Sequence, residues 1–123
     1  MSFAWLTPAG GSGATGRNGG HLTPNPFLGF RTRHAQHGAS NTVKSYAIEH
    51  HTTDAIVSFI HAHDLSEEVE LVNGGHSRLF FSTSEESAAR ADYEAALEAG
   101  WDPAPNLTWF DAEQMNKVRV MTL

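Results

Sequence analysis

From Val43 onward, apolar and polar positions alternate with helical spacing. Val43, Tyr46, His50, Thr53, Val57 and Ile60 recur at three- and four-residue intervals, which puts them on one face, and Ala47, Ile56 and Phe59 form a second apolar edge. The pattern predicts a long helix with Ser40 or Asn41 as N-cap and its end near His63 or Asp64. Next, "VELVNGGHSRLFF" sets two runs of β-formers around Asn73-Gly74-Gly75, a spacing that predicts a β-hairpin because Asn and Gly tolerate the positive φ of a tight turn. "STSEESAARADYEAALEAG" reads as a second helix, with Thr83 and Glu86 at capping-box spacing, a buried stripe of Ala89, Tyr93, Ala96 and Leu97, and Gly100 as the stop. The loop "WDPAPN" leads to a short strand, "LTWF", and "DAEQMNKVRV" opens a third helix with Asp111 as N-cap. Residues 1–41 hold most of the glycines together with Pro8, Pro24 and Pro26, and are expected to be mostly loop.

Composition narrows the function classes. Fourteen acidic against eight basic residues give a net charge of -6, the opposite of the basic face a phosphate-tracking nucleic-acid binder needs. The absence of cysteine excludes disulfide frameworks, thiolate metal sites and cysteine nucleophiles. "MSFAWLTPAGG" lacks the basic n-region and long apolar core of a signal peptide or membrane span, so the expectation is no membrane and, by default, a cytoplasmic location. At 123 residues the chain is one domain at most, with a modest core.

The most unusual stretch is "GGSGATGRNGGH", residues 10 to 21. Gly11-x-Gly13-x-x-Gly16 matches the dinucleotide-binding fingerprint literally, but the context does not. That fingerprint needs a feeding strand, a helix opening at its last glycine and an acidic ribose ligand about twenty residues on. Here Pro8 interrupts the feeding segment, "RNGGHLTPNPF" carries two glycines and two prolines, and no acidic residue precedes Ile48. A P-loop fails because Arg17-Asn18 stands where Lys-Ser/Thr is required. Two readings remain open on the residues alone: a flexible linker, or a glycine loop that lets backbone approach a ligand closely.

"SGATGRNGGH", Ser12 to His21, resembles a segment of the FAD-dependent oxidoreductases of the D-amino-acid-oxidase type, and within them the γ-glutamylputrescine-oxidase-like amine oxidases. The resemblance continues through a long helix, the segment "ELVNGGHSRLFFST", an Ala/Glu-rich helix and "LTWFDAEQ". It implies an α/β fold: a partial FAD/NAD(P)-binding-type fold lacking the first βαβ unit, with a Gly-rich loop, a long helix, a β-hairpin, a second helix and a short strand. Residues 1–123 would form a single fragment of the oxidoreductase domain, residues 42–123 being helix, hairpin, helix and strand. The resemblance also implies FAD as cofactor, with Ser12, Gly13, Ala14, Thr15, Gly16, Arg17, Asn18, Gly19, Gly20 and His21 along it. The intact family's substrate is a small amine or amino acid. The upstream GxGxxG and the acidic ribose ligand of that family have no counterpart here, so the chain is expected to be a truncated form, catalytically incomplete and a weak FAD binder at best. The alternative is a small non-catalytic binding or interaction module derived from that fold; a third reading is a loop for a different nucleotide.

Eight histidines invite a metal reading, but His50 and His61, although on one helix face, lie three turns apart, too far for one ion, and no metal site is expected. Asp54 and Glu49 read as the solvated face of the first helix, and Trp5, Trp101 and Trp109 as packing residues. His21 is the one polar group placed next to the glycine loop. No catalytic residue can be assigned, and the oligomeric state is open.

Overall fold

A computed structural model describes residues 19–103 and 107–115. Two helices carry it: α1, Phe30–Ala62, and α2, Thr83–Glu98. Among the described residues there is no strand, and this corrects the α/β expectation of a partial FAD/NAD(P)-binding-type fold with a hairpin and a short strand.

Why α1 starts at Phe30, well before the expected start near Val43, is visible at its first turn. A helix leaves its first N–H groups without partners. Here the carboxylate of Asp92, on α2, accepts from the Gly29 N–H at 2.7 Å and the Arg31 N–H at 3.2 Å. The Arg31 Nε donates to the same carboxylate at 3.0 Å. The negative charge also complements the helix N-terminus. Gly38 then interrupts α1 with φ 76° and ψ 163°, a backbone region essentially reserved for glycine. Neither Ser40 nor Asn41 acts as an N-cap: Asn41 Nδ2 donates back to the His37 carbonyl, and the buried Thr42 donates its hydroxyl to the Gly38 carbonyl.

Beyond the break the expected face is the packed one. Tyr46 is fully buried, and Val43, His50, Thr53, Val57 and Ile60 are half-buried. The second edge is not packed, since Ile56 and Phe59 are exposed. α1 closes near the predicted residue: the Leu65 N–H donates to the Ile60 carbonyl and the Asp64 N–H to the His61 carbonyl, with Asp64 at φ 53°.

The expected hairpin is replaced. Residues 66–70 form a further helical turn, closed by hydrogen bonds from Leu71 to Ser66 and from Glu70 to Glu67, and this consumes the first arm. No backbone hydrogen bond joins residues 71–73 to 76–80. A two-stranded hairpin is marginal without a third strand or a covering helix, and nothing described covers this one: Val72 is 84% and Phe81 86% exposed. The "LTWF" segment is likewise not a strand, because no sheet edge is offered to it. It is held by its side chains, Trp109 lying against Phe27, Phe80 and Tyr93 and under the Arg90 guanidinium at 4.3 Å.

The N-cap of α2 is Ser82, one residue before the expected Thr83. Ser82 Oγ accepts from the Glu85 N–H, while the Glu85 carboxylate accepts from the Phe81 N–H. Gly100 closes it as predicted, with Trp101 N–H to the Ala96 carbonyl and Gly100 N–H to the Leu97 carbonyl. Its buried stripe is Ala89, Asp92 and Ala96, with Leu97 exposed. The two alanines join Phe27, Phe30 and Tyr46 in one core, to which Val43, Phe80, Tyr93, Trp101 and Trp109 add partial cover. Past Phe110 the predicted N-cap is present: Asp111 accepts from the Gln114 N–H and Gln114 returns the bond to the Asp111 N–H, opening a turn at residues 112–115. Trp5 lies outside the described residues.

Two stability predictions follow from this architecture. Asp92→Ala strips the partners from two backbone donors and one guanidinium, so urea unfolding followed by circular dichroism should show a loss of about 2–3 kcal/mol, with a milder loss for Asp92→Asn. Gly38→Ala should cost about 1–3 kcal/mol in the same assay, because an L side chain is strained at that φ and ψ.

Candidate functional site

The described end of the glycine loop runs straight into a turn built from "TPNPFLGF", residues 23–30. Asn25 organises it. Its Oδ1 accepts from the Phe27 N–H at 3.2 Å and the Leu28 N–H at 2.9 Å, and its Nδ2 donates to the Leu28 carbonyl at 2.8 Å. This is the local closure that Asn favours in turns. The turn is then held from outside at successive carbonyls: His50 Nε2 meets the Asn25 carbonyl at 3.3 Å, Trp101 Nε1 donates to the Pro26 carbonyl at 2.6 Å, and the Tyr46 hydroxyl donates to the Leu28 carbonyl at 2.9 Å. The Asn25 N–H donates to Glu49 Oε2 at 3.2 Å.

The clamping side chains are themselves braced. Glu49 pairs with Arg33 at 3.1 Å, and that guanidinium lies 4.7 Å from the centre of the Tyr46 ring. The His50 ring stands edge-on to Trp101 at 5.2 Å. Glu49 is therefore not simply solvated face, as expected from sequence, while Asp54 is exposed. Burial pushes the Tyr46 phenol above its ordinary value; Asp92 and Glu49 act in the same direction, and Arg33 opposes them.

Of the ten expected loop residues, Ser12, Gly13, Ala14, Thr15, Gly16, Arg17 and Asn18 lie outside the described residues. Gly19, Gly20 and His21 are described, as exposed chain without regular structure. Gly20 takes φ 68°, with open space on the side where a Cβ would stand. At Gly19 a Cβ would come within 2.9 Å of the His21 ring, so that ring folds back over the glycine. Beside it lies a shallow groove of about 360 Å³, open to solvent, between His21–Pro24 and the Ile48–Thr53 stretch of α1. Leu22, Pro24 and Ile48 make its wall apolar. Three of its polar side chains are engaged: Thr52 and Thr53 donate to the Ile48 and Glu49 carbonyls, and Glu49 serves Arg33 and Asn25.

The groove offers an apolar wall open to solvent. Among the described residues that line it, no hydrogen bond joins a nucleophile to a base, and among the described residues no group of three or more His, Asp or Glu converges to hold a metal ion. His50 and His61 have separate partners, Asn25 and Ser66. No described helix is long and apolar enough to cross a membrane. The chain matches no protein-family model, no curated protein and no solved structure.

The turn yields a test of its own. Tyr46→Phe removes one buried donor and should cost about 1 kcal/mol near neutral pH. A phenol whose folded value is raised contributes stability that is complete below its unfolded value of 10.0 and is lost as pH rises through the folded value. The wild type should therefore lose stability above about pH 10 more steeply than Tyr46→Phe, as read by urea midpoints across an alkaline series.

Proposed function

We propose that this chain is the flavin-loop-bearing portion of an FAD-dependent oxidoreductase acting on amines or amino acids. The observation that carries the reading is the sequence "SGATGRNGGH", Ser12 to His21, delivered directly into a turn that two helices clamp. In that role a bound flavin would supply the acceptor for hydride from a C–H next to nitrogen, and the chain would supply position. Leu22, Pro24 and Ile48 offer an apolar wall beside the loop's described end.

The chain alone is not a catalyst in this reading. Ordering loop residues around a ligand costs roughly 1–2 kcal/mol each, and backbone hydrogen bonds return only about 1 kcal/mol net apiece. Binding is correspondingly weak. A second reading has its own support: Val69, Val72, Leu79 and Phe81 leave an apolar run uncovered around residues 69–81, which favours a non-catalytic interaction module.

Titrating FAD into the ¹⁵N-labelled chain should produce weak, saturable shifts confined to the amides of Gly13–His21. The protein should be colourless after desalting and should yield no peroxide with amines. Silence of those amides at millimolar FAD would remove the flavin reading in favour of the interaction module, and amine-dependent peroxide would overturn the catalytic incompleteness.

A further inference from the structure

Between Thr23 and Phe27 the backbone has a single N–H, because Pro24 and Pro26 have none. That donor, on Asn25, goes to Glu49, and the Asn25 carbonyl goes to His50, the next residue along α1. Two consecutive helical residues thus take hold of one strap residue by both its backbone groups. Each is braced from behind by a different element: Glu49 by Arg33 in the first segment of α1, and His50 by Trp101 after α2. Trp101 in turn holds the adjoining Pro26 carbonyl.

We propose that Glu49 and His50 are positioning residues: by gripping the Asn25 backbone they fix the direction in which the chain at Gly19–His21 leaves the helices. Only the short strap from His21 to Pro24 separates the grip from the loop, and proline stiffens its last residue. A shift at Asn25 thus acts on His21 across only three intervening residues. The role differs from that of the core: Phe27, Phe30 and Tyr46 are buried, whereas the Glu49 side chain is 38% exposed. The grip holds for any group the loop binds; its bearing on FAD rests on the flavin reading above.

The experiment is amide exchange and chemical-shift mapping on the full chain without FAD, comparing wild type, Glu49→Ala, Glu49→Gln and His50→Ala. Glu49→Ala should speed exchange of the Asn25 amide about tenfold, on the scale of one hydrogen bond to a charged group. It should also move the Gly19–Leu22 signals while leaving those of Ala89 and Ala96 in place. Glu49→Gln, which keeps an acceptor, should restore most of the protection, and His50→Ala should move the same loop signals as Glu49→Ala. Unchanged Gly19–Leu22 signals in both alanine variants would overturn the proposal, as would equal disturbance of Ala89 and Ala96, which marks general loosening. Adding FAD separates the two ideas: variants that behave as expected beside a wild type blind to FAD sink the flavin reading and keep the grip, whereas a responsive wild type whose FAD affinity is unaltered in Glu49→Ala keeps the flavin reading and sinks the grip.

Discussion

The carboxylate of Asp92 is the point on which this small structure turns. It sits on the buried face of α2 and closes the first turn of α1, accepting from Gly29, Arg31 and the Arg31 guanidinium. A buried charge is costly unless its hydrogen bonds are complete, and these are. Because the acceptor belongs to the other helix, the start of α1 and the packing of α2 are one event. Phe30, immediately inside that cap, is fully buried and stacks on Tyr46, whose hydroxyl fixes the Leu28 carbonyl. Cap, core and turn are thus linked through adjacent residues.

The core built on that point is narrow. Two buried alanines let the aromatic cluster of Phe27, Phe30 and Tyr46 lie against α2, and tryptophans close its edges. Among the described residues, the would-be hairpin leaves Val69, Val72, Leu79 and Phe81 exposed, with neither a sheet nor a helix to lie on. Both functional readings draw on this contrast: one end of the molecule is a well-anchored turn that presents a glycine loop, and another carries apolar side chains that need a covering surface.

Much of the helical pattern was legible in the sequence. The face from Val43 to Ile60, the closure at Gly100 and the cap at Asp111 are short-range features that spacing and residue type specify directly. The misses have a common cause. Gly29 and Gly38 read as breakers, and nothing local shows that a carboxylate sixty-three residues away in sequence caps the helix between them. Asp92 interrupts an alanine stripe at helical spacing, and that was the one available signal of its role. The Asn-Gly-Gly turn was sound chemistry without tertiary support. At the candidate site, the glycines and His21 were visible from sequence and His50 fell on the predicted packed face, but the role of Glu49 was not visible, since a charged residue on a helix ordinarily faces water.

The bond from Trp101 to the Pro26 carbonyl spans seventy-five residues of sequence. During synthesis from the N-terminus, the turn that Asn25 shapes is therefore made long before its last fastening exists. Glu49, His50 and Tyr46 reach it first; Asp92 and then Trp101 arrive only once α2 has emerged. The turn at residues 23–30 is consequently made well before it is fully held, and its complete set of bonds forms only after the C-terminal half has folded onto the N-terminal one.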